Sequence, residues 1–97
     1  MTPLADACFV GLCRPGCAPR IGHHDPSFGL DAGRVFQDLR EAFALLRRHR
    51  VAVHRLQWEF EGGLLLATNH DEVLRLLVSR RPAHRLGELW AVLEEMQ

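Results

Sequence analysis

The chain lacks lysine and tyrosine, and no stretch of it approaches the ~20 apolar residues that a transmembrane helix needs. Its first residues also lack the basic segment and the uninterrupted apolar run of a secretory signal, because Asp6 breaks that run. The basic and acidic side chains number 12 each, so the net charge is +0. A neutral chain is a poor candidate for a protein that mainly grips phosphate backbones. These absences predict a cytoplasmic protein without a membrane segment.

Because lysine is absent, every basic residue other than histidine is arginine. Two explanations apply. A GC-rich coding sequence favours arginine together with alanine, leucine and glycine, and this is the explanation we adopt. The alternative is selection for the bidentate and stacking contacts that arginine makes at interfaces. A net charge near zero also lowers the repulsion between copies of the chain, which makes self-association easier.

Length and composition predict one globular domain over residues 1–97. The hydrophobic fraction is 47% and the charged fraction 25%, which is typical of a folded protein. A chain of this size removes only about 60–65% of its unfolded surface from water, so a partner would add useful stability. The three cysteines are few and odd in number, which argues against a secreted disulfide framework.

Hydrophobic periodicity predicts an α+β fold in which a short antiparallel sheet packs against helices. The predicted elements are an N-terminal strand or coil at 7–12, an irregular Pro/Gly-rich segment at 14–32, a helix at 33–49, a hairpin of strands 51–61 and 64–68, and helices at 71–79 and 83–96. The expected order is therefore strand or coil, helix, two strands and two helices.

Local signals set the ends of these elements. Asp31 is a suitable N-cap for the helix at 33–49. Asn69 followed by Glu72 forms a capping-box pattern, which predicts the helix at 71–79. A β-bulge at residues 54–55 would turn all apolar residues of the first hairpin strand towards the core. Gly62 and Gly63 predict a two-residue turn.

The strand at 64–67 is apolar on both of its faces, so both faces need a cover. The N-terminal segment or another protein chain could supply it. We therefore expect the cysteine-containing segment at 8–24 to be packing material and interface. The predicted interface residues are Phe9, Val10, Leu12, Leu65 and Trp90.

The same segment offers an alternative function. Cys8, Cys13, Cys17, His23 and His24 supply enough soft and borderline ligands for a tetrahedral zinc ion. However, the two-residue cysteine spacing that usually opens a structural zinc site is absent. Cysteine also packs as a small buried hydrophobe. We expect no metal or cofactor here, with a zinc-binding module as the alternative.

Arginine clusters at two places in the chain raise the possibility of nucleic-acid binding, which is the less favoured alternative. The candidate residues are Arg47, Arg48, Arg50, Arg80 and Arg81. Positive charge at these positions is equally explained by the predicted helix C-termini, where it complements the helix dipole. The sequence shows no recognition-helix signature beside them. We expect them to stay solvated and expect no nucleic-acid partner.

Signals of catalysis are missing as well. The hydroxyl-bearing residues are Thr2, Ser27, Thr68 and Ser79. None of them lies in a nucleophile-elbow context, and no glycine-rich phosphate loop is present. The sequence therefore predicts a non-enzymatic, cytoplasmic protein-binding or regulatory module that acts through a protein–protein surface as a homodimer. Small accessory proteins of bacteria or their mobile elements have this profile.

Overall fold

The computed structural model of the chain describes residues 7–51, 53–80 and 86–96. In chain order, its elements are β1 (Ala7–Cys13), β2 (Arg20–His24), α1 (Ala32–Arg48), β3 (Arg55–Phe60), β4 (Gly63–His70), β5 (Val73–Ser79) and α2 (Leu86–Glu95). The predicted α+β class, with an antiparallel sheet packed against helices, is confirmed.

The strands form one five-stranded sheet in the order β2-β1-β5-β4-β3. Each neighbouring pair is antiparallel. The apolar β5 lies at the centre, whereas β2 and β3 form the two edges. The first strand of the predicted hairpin is therefore an edge of the sheet.

Helix α1 covers one face of the sheet. Asp31 caps it as expected, because its carboxylate accepts a hydrogen bond of 3.1 Å from the Arg34 N–H. The helix buries Phe36, Leu39 and Phe43. The residues that complete this core come mainly from β1, β4 and β5 and are Cys8, Phe9, Cys13, Ala67, Leu74, Leu76 and Val78.

Helix α2 covers the opposite face with Leu89 and Leu93. These side chains meet a second buried cluster formed by Ala7, Val10, Leu64, Leu66 and Leu77. The strand that is apolar on both faces is thus covered by a helix on each side. The predicted N-terminal strand at 7–12 is confirmed, because residues 7–13 form β1 between β2 and β5. This segment is therefore part of the sheet and does not cover one of its faces.

The predicted helix at 71–79 is wrong, because this segment is β5. His70 pairs with Val73, and the intervening Asp71 and Glu72 have positive φ angles of 53° and 66°. Two such residues in succession make a tight hairpin turn. The Asn69–Glu72 capping-box pattern is overridden here, since Asn69 lies within β4. Burial on both sides of the sheet decides the conformation, and local propensity does not.

Smaller corrections concern the edges. Strand β2 falls inside the segment that we expected to be irregular. The predicted bulge at 54–55 is absent, since β3 begins at Arg55 and its register with β4 is unbroken. The hairpin turn is shifted by one residue to Glu61 and Gly62, where Gly62 adopts a φ of 87°. Of the predicted helix at 83–96, residues 83–85 lie outside the described residues.

Candidate functional site

Exposed large hydrophobic side chains concentrate in one part of the described chain. Those with 42–47% exposure are Ile21, Leu45, Val51, Trp58 and Phe60. Four of the five fall between the C-terminal half of α1 and the end of β3. Trp58 and Phe60 lie on the same strand, and neighbouring exposed apolar side chains mark an interaction site more often than an isolated one does.

The apolar face of β3 supplies the two aromatic rings. Leu56, Trp58 and Phe60 alternate along the strand and therefore share one face of the sheet. Leu56 packs against the core beneath α1, which places this row on the α1 side. Trp58 lies opposite the half-buried Leu65 of β4. Since Trp58 and Phe60 are 45% and 42% exposed, the cover of α1 does not extend over them.

The outer backbone edge of β3 is open, because no strand among the described residues lies beyond it. The Asn69 N–H donates to the His54 carbonyl oxygen over 2.9 Å, so residue 54 directs its backbone groups towards β4. Hydrogen-bonding direction alternates along an antiparallel strand, so the even-numbered residues of β3 also bond to β4. The odd-numbered residues direct their N–H and C=O groups to the free edge, and these are Arg55, Gln57 and Glu59. We call this edge, together with Leu56, Trp58 and Phe60, the β3 surface.

The opposite face of β3 is polar and is tied to α2. The Arg55 guanidinium forms an ion pair with Glu94. It also lies 5.0 Å from the centre of the Trp90 ring, which is a cation–π distance. Glu59 is at the other end of the strand, so this face of β3 is basic at its start and acidic at its end.

The predicted interface residues have different positions from those we expected. Phe9, Val10 and Leu12 are buried in the core of the chain itself, with exposures of 0%, 7% and 2%. They are therefore not presented to a partner in this fold. Leu65 lies beside Trp58, and Trp90 is half-buried beneath Arg55.

Trp58 and Phe60 were missed because the sequence interpretation turned every apolar residue of the strand towards the core. The available signal was the hairpin itself. A first strand that carries two aromatic residues, and that has no partner segment assigned to its other side, is a candidate for an exposed edge.

The structure does not bring the five candidate zinc ligands together. Cys8 and Cys13 are buried in β1, whereas Cys17 is exposed in the following turn. The His23 and His24 rings lie within hydrogen-bonding distance of backbone carbonyl oxygens, those of Ala7 and Phe28, at 3.2 and 2.8 Å. Within residues 7–51, 53–80 and 86–96, no three His, Cys, Asp or Glu side chains form a group that could hold a metal ion. The geometry gives the zinc alternative no support.

The arginine clusters are separated, and two of the four arginines in them that the structure describes form ion pairs. Arg47 forms an ion pair of 2.9 Å with Glu72, just before β5 begins. Arg80 follows the end of β5 and forms an ion pair with Asp25. The two clusters therefore lie at opposite ends of the central strand and form no single basic stripe. Arg48 and Arg50 lie at the end of α1, and Arg81 lies outside the described residues.

A pocket of about 300 Å³ opens beside the C-terminal end of α1. It is lined by Phe43, Arg47, Val51, Val53, His54, Asn69, Asp71 and Glu72. No serine, threonine or cysteine is among them, so the lining offers no hydroxyl or thiol nucleophile. The ion pair between Arg47 and Glu72 engages two of its four charged or titratable side chains, and the His54 ring lies 3.2 Å from the Asn69 carbonyl oxygen.

Comparison with known proteins does not assign the chain to a family. No protein-family model, no curated protein and no solved structure matches it. In the part of the chain that the structure describes, no helix is long and apolar enough to cross a membrane.

Proposed function

We propose that the protein is a non-enzymatic protein-binding module that forms a homodimer through its β3 surface. One observation carries the proposal. Trp58 and Phe60 are nearly half-exposed on an edge strand whose outer backbone groups have no strand beside them in the described chain. An open edge is a template for pairing with another strand, and the adjoining rings supply apolar contact area.

The energetics favour covering these rings. Trp and Phe are large side chains, and tryptophan is among the residues that most often dominate binding energy at interfaces. Removing the exposed part of each ring from water is worth about 2 kcal/mol. A symmetric dimer covers Trp58 and Phe60 in both copies, so the rings alone supply a substantial driving force for association.

The lining of the pocket beside α1 supports the non-enzymatic part of the proposal. The pocket beside α1 has no hydroxyl or thiol nucleophile in its lining, and an internal ion pair already engages Arg47 and Glu72. A regulatory or accessory role, a bacterial or mobile-element origin and a cytoplasmic location all stay predictions from the sequence.

The test compares two side chains of nearly equal exposure on the two sheet edges. Trp58 on β3 is 45% exposed, and Ile21 on β2 is 46% exposed. We expect a dimer for the wild-type protein and for Ile21→Ser. We expect Trp58→Ser to raise the dimer dissociation constant by about 100-fold or more. Sedimentation velocity over a concentration series gives the dissociation constants, and far-UV circular dichroism checks that each variant is folded.

Native mass spectrometry on the same samples reports subunit number and bound metal together. A wild-type monomer over the whole concentration series would overturn the proposal. A dimer that Ile21→Ser disrupts and Trp58→Ser does not would show that the chain associates through β2, and it would overturn the proposal. One zinc ion per chain, lost together with the fold in the Cys13→Ser, Cys17→Ser double variant, would favour the zinc-binding alternative.

A further inference from the structure

The free edge of β3 also defines how a second copy would fit. Resting on the proposed function, we infer that β3 pairs antiparallel with β3 of a second copy, in a register centred on Gln57. The sheets of the two copies then form one continuous antiparallel sheet. The inference follows from the hydrogen-bonding direction, the faces and the charges of β3.

Symmetry restricts the registers first. Two identical antiparallel edge strands are related by a two-fold axis perpendicular to the sheet. This axis places residues of the same face opposite each other, so the row of Leu56, Trp58 and Phe60 continues into the same row of the second copy. Registers that place an odd-numbered residue opposite an even-numbered one would bring opposite faces together and are excluded.

Backbone direction then selects the centre. Only the odd-numbered residues of β3 have N–H and C=O groups that point to the free edge. With Gln57 opposite its own copy, all three of these residues enter the new ladder, which gives about six hydrogen bonds. A register centred on Trp58 shifts Arg55 opposite Glu61, which lies in the hairpin turn outside the strand. That register loses ladder bonds.

Charge complementarity supports the same register. With Gln57 at the centre, Arg55 lies opposite Glu59 of the second copy, and the symmetry repeats this pair. The Arg55 and Glu59 side chains share the α2 face of the sheet, because both positions are odd-numbered on β3. On the other face, Leu56 lies opposite Trp58 of the second copy. Opposite charges and aromatic–aliphatic contacts are both favourable cross-strand pairs.

The first experiment reverses one charge at two neighbouring positions. Glu59→Arg places an arginine opposite Arg55 of the second copy at two symmetric positions, so we expect dimerisation to weaken by at least about tenfold. Glu61→Arg is the matched control, because in this register Glu61 faces no charged residue of the paired strand. We expect Glu61→Arg to change the dissociation constant by less than about threefold. Sedimentation velocity at low and moderate salt measures both variants.

The second experiment reports the register directly. In a Cys17→Ser background, which removes the exposed native thiol, Gln57→Cys should form a disulfide across the symmetry axis on mild oxidation. Residues directly opposite in a hydrogen-bonded pair have Cα atoms about 5.5 Å apart, within the range that a disulfide spans. Glu59→Cys in the same background should not cross-link to itself, because the two copies of residue 59 are then separated by about 13 Å along the strands.

The outcomes separate this inference from the proposed function. A wild-type monomer overturns both. A dimer that Trp58→Ser disrupts, that tolerates Glu59→Arg, and in which Gln57→Cys does not cross-link, overturns the register and leaves the β3 surface in place. A larger effect of Glu61→Arg than of Glu59→Arg replaces the register by one centred on Trp58.

Discussion

The two edge strands of the sheet are built in opposite ways. Strand β2 has five residues, and its pairing with β1 is interrupted by a register shift between Val10 and Gly11. Strand β3 has six residues, and its pairing with β4 is unbroken. The side chains of β2 include an arginine and two histidines but no acidic residue, whereas β3 begins with Arg55 and carries Glu59 near its end.

This difference separates a protected edge from an available one. A bulge and charge of one sign are features by which natural proteins discourage pairing at sheet edges, and β2 has both. If two copies of β2 paired antiparallel around Gly22, Arg20 would lie opposite His24 of the other copy. The same operation on β3 brings opposite charges together. The comparison therefore favours β3 over β2 as the edge through which we propose that the chain self-associates.

Glycine substitutions test the packing beneath each edge and should have the largest effect on stability. A Cβ atom at Gly63 would collide with the Ser79 carbonyl oxygen and the Phe60 ring, whereas one at Gly22 would meet the Val10 carbonyl oxygen at an ordinary 3.5 Å. We expect Gly63→Ala to lower the free energy of unfolding by about 1–3 kcal/mol. Gly22→Ala should change it by less than about 1 kcal/mol.

Urea unfolding followed by tryptophan fluorescence measures both variants. A loss in Gly63→Ala would show that the Phe60 ring and the Ser79 carbonyl oxygen pack too closely on this part of β4 to leave room for a Cβ atom. Equal effects at the two glycines would contradict the difference in packing between the edges.

The contact between β3 and α2 should have a smaller effect. Arg55 forms an ion pair with Glu94 and lies over Trp90, but Arg20 of β2 is exposed and takes part in no such ion pair or ring contact with a described residue. We expect Arg55→Ala to cost about 1 kcal/mol, the sum of an exposed ion pair and a cation–π contact. Arg20→Ala should be neutral within about 0.5 kcal/mol.

Both arginine variants are best measured in the Trp58→Ser background, so that association does not contribute to the unfolding free energy. If Arg20→Ala lowered the free energy of unfolding as much as Arg55→Ala does, the side chains of β2 would stabilise the fold as much as those of β3, which contradicts the prediction. The ionic-strength dependence should also be confined to the Arg55 variant, because salt weakens exposed ion pairs.

Parts of the fold were predictable because local chemistry and burial agree there. Asp31 and the repeat of Val35, Leu39, Phe43 and Leu46 at steps of three and four residues predict α1. The structure confirms the helix and buries Phe36, Leu39 and Phe43. The hairpin around Gly62 was predictable for the same reason. At β5 the two disagree, since the Asn69–Glu72 pattern favours a helix while the position between β1 and β4 requires a strand.

The candidate site was less predictable than the fold. Which strand forms an edge depends on the order of strands, and that order depends on β1 pairing with β5, which is far away in the sequence. Without knowledge of the β1–β5 pairing, Trp58 and Phe60 are taken for core residues, and Phe9 is taken for a residue that covers one face of the sheet. Hydrophobicity alone does not distinguish these roles, because both occur in alternating strands.

The smallest expected effect on stability comes from Asp25, which directly follows β2. The Asp25 carboxylate accepts hydrogen bonds of 2.9 and 2.8 Å from the backbone N–H and the hydroxyl of Ser27. These bonds, followed by the charges of Arg80 and His23, lower the pKa of the Asp25 carboxyl below its ordinary value. The unfolded chain, with a carboxyl pKa of about 3.9, therefore binds more protons than the folded chain at mildly acidic pH.

Stability from Asp25 is therefore fully present above the unfolded pKa and is lost as the pH falls through the lower folded pKa. We expect the difference in unfolding free energy between wild type and Asp25→Asn to be constant above about pH 5 and to shrink as the pH falls towards 3. Ser27→Ala is the matched variant, because it removes the hydroxyl bond, keeps the backbone one and should move the Asp25 pKa back towards its ordinary value. Urea unfolding across this pH range measures all three proteins. A difference that stays constant down to pH 3 would mean that the charge of Asp25 does not help to hold β2, and that this edge depends on its backbone pairing with β1.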